Sequence, residues 1–366
     1  MDIEKLIMEN NHRYCIIMAG GLGNHFWPMS RYDKPKQFID LMGTGESMLQ
    51  ATFSRMQQIC PKDNIIIVTS GSMAERVSMQ IMGLKPYQLL CEPARRNTAP
   101  CIAYAASIIY ERDPHASVVV VPSDHAIFGD KNYLGDLNKA FELVERHNWI
   151  ITMGARPTSP NTKYGYIQFD ERRKADADAA LYPVVTFTEK PPVEMATQFI
   201  ASGEFFWNAG IFVWSLSVLM EAYRQYLPAV AELFFELKEN STEEQLENVY
   251  ASCESVSVDT GIMERADNVH VMEASFGWSD VETWEALYDT CSKDEKNNVV
   301  VSGNVFAYDT ENCIVHMPQN KTIVLQGLDG YVVAGNTNYI FVCKRDQVHR
   351  AVKFASDVEL RNEKRR

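Results

Sequence analysis

No stretch of this 366-residue chain approaches the roughly 20 consecutive apolar residues that a membrane helix needs. Residues 1–13 are polar and carry both signs of charge, without the basic start, apolar run and small-residue cleavage site of a secretory signal. The expectation is a soluble cytoplasmic protein with no membrane partner. The eight cysteines, Cys15, Cys60, Cys91, Cys101, Cys253, Cys291, Cys313 and Cys343, contain no Cys-x-x-Cys pair, so they read as reduced thiols rather than a zinc or redox centre. Cations are also short: Lys plus Arg number 35 against 48 for Asp plus Glu, a net charge of −13. That balance argues against a duplex-binding surface and a nucleic-acid partner, and any phosphate site must be local.

What is present is a globular composition, 46% hydrophobic, enough for one large or two modest domains. Strand-length apolar runs at residues 14–18, 64–69, 88–91 and 117–122 alternate with helical patterns at 73–82 and 99–111. Further helices are expected at 134–147, 193–202, 216–226 and 242–252, and further strands at 149–154, 184–189 and 209–214. The alternation predicts an α/β fold, a Rossmann-like mostly parallel sheet flanked by helices. Val118 to Val121 is apolar throughout, as a central strand covered on both faces should be. A charged run at 292–296 reads as a linker, which divides the chain into a catalytic domain, 1–291, and a small C-terminal β domain, 297–366. The turn spacing of the second fits a short β-helix, and an exposed β edge suits a homodimer.

The richest segment is 14–38, where a strand runs into Gly20, Gly21 and Gly23. Glycines there let backbone N–H groups approach a phosphate, although such a turn can equally be structural. Phe26 stands where the dinucleotide fingerprint needs a third glycine, the Gly-Lys-Ser/Thr of a Walker loop is absent, and Pro28 interrupts the helix that either motif opens. Arg31, Lys34 and Lys36 follow, a cationic cluster in an acidic protein that suits a triphosphate. Taken alone, Lys36 reads as a solvated lysine or as a point charge on phosphate. Asp124 reads as a turn or cap residue, or as a ligand group beyond a strand end. Ser279-x-x-Glu282 reads as a capping box with Asp280 in its first turn. Glu92, Arg95, Arg96, Asn97 and Thr98 read as the cap of the helix that follows, or as a nucleotide contact.

An ordered set of motifs goes further. These are the glycine loop with Trp27-Pro28-x-Ser30-Arg31 and Pro35-Lys36-Gln37-Phe38, then Glu92-Pro93 with Arg96-Asn97-Thr98-Ala99-Pro100, and Pro122-Ser123-Asp124-His125. Tyr164-Gly165-Tyr166-Ile167, Glu189-Lys190-Pro191, Trp207-Asn208-Ala209-Gly210-Ile211-Phe212 and Gly277-Trp278-Ser279-Asp280 follow. In this order, over roughly residues 14–290, the chain resembles the nucleotide-sugar pyrophosphorylases, and within them the mannose-1-phosphate guanylyltransferases.

The resemblance implies a transferase that forms GDP-mannose and pyrophosphate from GTP and α-D-mannose 1-phosphate. It implies Asp124 and Asp280 as ligands of Mg²⁺, and Lys36, Arg31, His25 and Asp124 as the catalytic set. Gly20, Gly21, Gly23, Glu92, Asn97, Thr98 and Asp124 would then meet the nucleotide. Gly165, Tyr166, Glu189, Lys190, Asn208 and Gly210 would meet the sugar phosphate. The chain departs from the family pattern Gly-x-Gly-Ser/Thr-Arg at Asn24 and His25: His25 stands where that pattern has arginine, and a histidine is only partly protonated at neutral pH. Two other readings stay open, a guanylyltransferase for a heptose or fucose 1-phosphate and a catalytically impaired regulatory subunit. The roughly 70 residues after Lys296 are too few for the cupin-type isomerase domain of longer family members. No phosphomannose isomerase activity is expected.

Overall fold

The computed structural model describes residues 11–21, 25–176 and 179–363. They form two compact units, one from the described parts of Met1–Gly20, Thr52–Ser123 and Ile127–Trp278, the other from those of Gly21–Ala51, Asp124–Ala126 and Ser279–Arg366.

The first unit is built on a nine-stranded sheet. Its strands are β1 (Arg13–Met18), β2 (Ile65–Ser70), β3 (Leu89–Glu92), β4 (Ser117–Pro122), β5 (Ile150–Ala155), β6 (Tyr166–Phe169), β7 (Leu181–Thr188), β8 (Phe205–Ser215) and β9 (Val269–Glu273). They lie in the order β3-β2-β1-β4-β8-β5-β9-β7-β6, and β6 also pairs with β8. Pairings among β1 to β4, and between β5 and β9, are parallel. Strands β7 and β8 oppose every strand they pair with, so all the others point one way. This is the mostly parallel sheet that the strand–helix alternation predicts. Val118, Val119 and Val120 are wholly buried in β4, as parallel strands covered on both faces are.

Helix Thr98–Arg112 covers one face with small and branched residues, buried from Ala99 to Ala103 and from Ala105 to Ile109. Pro100 falls in its first turn, where a missing N–H costs nothing. Close packing shows at Gly154 in β5, where a Cβ would stand 2.7 Å from both Phe206 Cβ and Val271 Cγ2. Gly154→Ala is therefore expected to lower stability by about 1–3 kcal/mol through overpacking. A thermal melt checks this, and an unchanged midpoint would mean that these neighbours yield.

The second unit carries β10 (Val299–Ser302), β11 (Asn304–Tyr308), β12 (Ile314–His316), β13 (Thr322–Gln326), β14 (Tyr331–Gly335) and β15 (Ile340–Lys344). Strands β10, β12 and β14 stack in parallel with Val299 beside Ile314 and Ile314 beside Val332, and antiparallel β15 closes the sheet. Strands β11 and β13 form a parallel pair of their own. Successive turns thus stack rung on rung, as in a short β-helix. Val315, Val333 and Leu325 fill its interior, while Ile314, Val332 and Ala334 join a second core with Phe26, Trp27, Leu41 and Trp284.

That second core moves the division of the chain away from the boundary expected at 291–297. Phe26 meets Trp284 edge-on at 5.1 Å between ring centroids, and Trp27 meets Phe341 at 5.4 Å. The aromatic side chains of the glycine-loop segment are thus buried with the C-terminal strands. The charged run is a closed turn in which the Asp294 carboxylate accepts the N–H groups of Lys296 and Asn298. Among the described residues, no helix is long and apolar enough to cross a membrane.

Candidate functional site

In the second unit the centre is Lys36. Pro35 leads into a single tight turn, Lys36–Phe38, which carries Lys36 inward to 4% exposure. Its ammonium donates to the Asp280 carbonyl at 2.6 Å and the Val281 carbonyl at 3.3 Å, and pairs with Asp124 Oδ2 at 3.1 Å. One point charge thereby ties together three segments far apart in sequence. Burial alone would raise the Asp124 carboxyl. The charges of Lys36 and His125 and the Lys36 hydrogen bond outweigh it and hold the group below its ordinary value. A Cβ on Gly21 would lie 3.8 Å from Asp124 Oδ2, and the Gln37 amide donates to the Gly21 carbonyl at 2.9 Å. The glycine loop is thus tied to the segment that carries Lys36.

The carbonyls that meet Lys36 owe their direction to a strained turn. Val281, buried and β-branched, sits at φ 43°, a conformation such residues rarely adopt and that concentrates at functional sites. Its N–H donates to Ser279 Oγ at 3.2 Å. The capping box read at Ser279 does not form, because helix Trp284–Thr290 begins later, with Thr283 as its cap. Ser279 and Asp280 are left to shape the turn instead.

Arg31 is bonded through Nε and Nη2 to the Asp33 carboxylate. It lines a cavity of about 440 Å³ with Lys34, Asp40, His316 and Asn336, and none of Lys36, Asp124 and Asp280 lines that cavity. His25 is exposed. Gly23 lies outside the described residues.

In the first unit, Gly20 follows two residues after β1, and a Cβ on it would stand 3.6 Å from Glu92 Oε2. Glu92 is buried at the end of β3, and its Oε1 accepts the Tyr250 hydroxyl at 3.1 Å. Burial pushes the Glu92 carboxyl up to about 7, against the hydrogen bond from Tyr250 and the charge of Arg95. Asn97 caps helix Thr98–Arg112, accepting the Thr98 N–H. Thr98 Oγ1 accepts the Val258 N–H, and Arg96 donates to the Tyr250 carbonyl. The cap reading of this motif is therefore realised in the fold, with Glu92 as its buried carboxylate.

A second cluster in the same unit gathers around Gly165. The Gly165 carbonyl accepts the Asn208 N–H at 2.8 Å, and a Cβ on Gly165 would collide with Glu189 Oε2 at 2.7 Å. Glu189 pairs with Lys190 at 3.3 Å, and both are exposed. Gly210, at φ 66°, donates its N–H to Asn208 Oδ1. Asn208 Nδ2 donates to Asp259 at 2.7 Å. Tyr166 parts from this group: its ring is fully buried against Phe199, and its hydroxyl donates to the Asn161 carbonyl. Both Tyr166 and Ile167 at the start of β6 are wholly buried, so Tyr166 belongs to the core.

Tyr250 and Asp259 lie outside every motif read from the sequence. As for metal, no three His, Cys, Asp or Glu side chains cluster as ligands among the described residues. Asp124 meets Lys36 through its carboxylate and Asp280 through its backbone carbonyl, while the Asp280 carboxylate accepts the Glu282 N–H at 3.3 Å. Two carboxylates suit a hard cation such as Mg²⁺, whose remaining positions take phosphate and water oxygens.

The nucleotidyl transferase family profile matches residues 14–297 of this chain. The xanthan biosynthesis protein XanB of Xanthomonas campestris pv. campestris is 32% identical over 351 residues, covering 94% of this chain and 73% of its own. The mannose-1-phosphate guanylyltransferase of Klebsiella pneumoniae is 31% identical over 352 residues, covering 93% and 73%. Among solved structures, one described as mannose-1-phosphate geranyltransferase from Thermus thermophilus superposes with a TM-score of 0.85 at 30% identity, covering 95% of this chain and 99% of that one.

Proposed function

The chain belongs to the nucleotidyl transferase family, and from that premise we propose that it joins GTP to α-D-mannose 1-phosphate, giving GDP-mannose and pyrophosphate. The observation that carries the reading is Lys36: a buried ammonium holding the Asp124 carboxylate at 3.1 Å and the Asp280 carbonyl at 2.6 Å. The choice of guanine and mannose rests on similarity to relatives such as the Klebsiella mannose-1-phosphate guanylyltransferase.

A phosphate oxygen of the sugar phosphate attacks the α-phosphorus. The bond from that phosphorus to the bridging oxygen of the β-phosphate breaks, and the electron pair leaves with pyrophosphate. No covalent enzyme intermediate is needed, so the chain's work is positioning and charge neutralisation. Lys36 and the backbone of the glycine loop take the phosphates, and Gly20 with Glu92 takes the nucleoside side. Asp124 and Asp280 would hold Mg²⁺, which when bound neutralises phosphate charge. Glu189, Asn208, Lys190 and the open backbone at Gly165 and Gly210 take the sugar phosphate. Arg31, occupied by Asp33, and the buried Tyr166 are left out of these roles.

Pyrophosphate release measured over a panel of nucleoside triphosphates and sugar 1-phosphates tests the reading. GTP with mannose 1-phosphate should give the highest kcat/KM by about tenfold or more, the scale of one good discriminating contact. Equal kcat/KM for ATP and GTP would reject the base, and equal values for a heptose or fucose 1-phosphate would reject the sugar.

A further inference from the structure

Asp259 opens a π-helical turn, Asp259–Met263, a form that recurs at functional sites. The turn is fixed from two sides. The preceding Val258 donates its N–H to Thr98 Oγ1 at 2.9 Å, and Gly261 packs so closely that a Cβ would stand 2.9 Å from Leu227 Cδ1. The carboxylate it presents accepts from Asn208 Nδ2 at 2.7 Å. At its other end the same amide is also fixed: Oδ1 accepts the Gly210 N–H at 3.0 Å and faces Thr152 Oγ1 at 3.4 Å. An amide flip would set N–H against N–H at Gly210 and oxygen against oxygen at Asp259. The amide therefore has one orientation, and one Nδ2 hydrogen is committed to Asp259 while the other is available to a ligand. Glu189 reaches over the same Gly165 as an acceptor. A donor beside an acceptor matches two neighbouring hydroxyls, one accepting and one donating.

We propose that Asp259 is a positioning residue that holds the Asn208 amide as a hydrogen-bond donor to the sugar, and that its ionised form is required for tight sugar-phosphate binding. The inference rests on the reading that this cluster binds a sugar 1-phosphate. Burial pushes the Asp259 carboxyl up to about 6, with the Asn208 hydrogen bond holding it down and the Glu189 charge pushing it further up. The groups that face it are Glu264 on its own turn, Glu189 with its partner Lys190 after β7, Asn208 in β8 and, through Asn208, Thr152 in β5. Once protonated, the carboxyl becomes a donor itself and loses the charge that orders the amide.

The test is steady-state kinetics of Asp259→Asn and Asp259→Ala against the wild-type chain between pH 5 and 8, varying sugar phosphate and nucleoside triphosphate separately. Asp259→Ala should raise KM for the sugar phosphate about tenfold or more, the effect of one lost charge-assisted bond, with nucleotide KM unchanged. Asp259→Asn keeps an acceptor for the amide but not the charge, so at pH 7.5 its KM for the sugar phosphate should lie between those of the wild type and Asp259→Ala. Its KM for the sugar phosphate should also rise less on acidification than that of the wild type. The substrate's own phosphate titrates near pH 6 in every variant, so the difference between proteins is the readout. Equal acid limbs in wild type and Asp259→Asn would overturn the proposal, as would matching rises of both KM values in Asp259→Ala. If Asp259→Ala does not fold, the acid-limb comparison decides. A wild-type chain that turns over no sugar 1-phosphate refutes the functional reading instead, whereas an active wild type with unaltered variants refutes this inference alone.

Discussion

Asp124→Asn and Asp280→Asn are each expected to lower kcat for pyrophosphate release at least about a hundredfold, equivalent to ~2.7 kcal/mol of transition-state stabilisation. Each substitution keeps the side-chain shape and removes a charge. Asp124 is the carboxylate that the Lys36 ammonium keeps ionised, against the burial that would protonate it. Asp280 follows Ser279 in the turn whose carbonyls grip the same ammonium. An amide oxygen binds a hard divalent cation far more weakly than a carboxylate does, and the phosphates would lose that cation with it. The measurement is turnover across a Mg²⁺ titration, with a thermal melt to show that the fold persists. If either variant retains more than about a tenth of the wild-type rate, a loss under ~1.4 kcal/mol, its assignment as a ligand is wrong.

Lys36→Met should reduce kcat/KM about a thousandfold, ~4 kcal/mol, the upper range for removing one fixed donor from developing charge. The loss has two sources. Asp124 no longer has its cation, and the carbonyls of Asp280 and Val281 lose the donor that holds their strained turn. Lys36→Arg restores the charge and should still fail. A guanidinium is a planar fork, and this buried position serves three acceptors from a single ammonium. Recovery of most activity by Lys36→Arg would show that charge alone matters. The folded value of Asp124 is lowered, so stability from its pair with Lys36 is fully present above the ordinary carboxylate value, about 3.9. It is lost only as pH falls through the lower folded value, so assays near neutrality leave it intact.

Both predictions use residues legible in sequence, because Lys36, Asp124 and Asp280 each sit in a short motif with recognisable neighbours. The division into units was not legible. Phe26 and Trp27 stand among glycines and a proline, which locally read as loop, and only their contacts with Trp284 and Phe341 show them to be core. The pairing of Arg31 with Asp33, two residues on, is likewise visible only in the structure.

Local pattern alone determined seven of the nine strands of the sheet, missing β6 and β9, together with the apolar centre at Val118 to Val121 and the ordered motifs that carry the family. Those properties depend on residues within a turn or a strand of one another, where periodicity and steric preference act. Tertiary structure alone decided that one buried ammonium joins segments around residues 36, 124 and 280. It also decided that Asp259 fixes the Asn208 amide from 51 residues away, and that burial, against the Tyr250 hydrogen bond, lifts Glu92 to about 7. Charge and hydrogen bonding between distant segments depend on distance and desolvation, which exist only once the chain has folded.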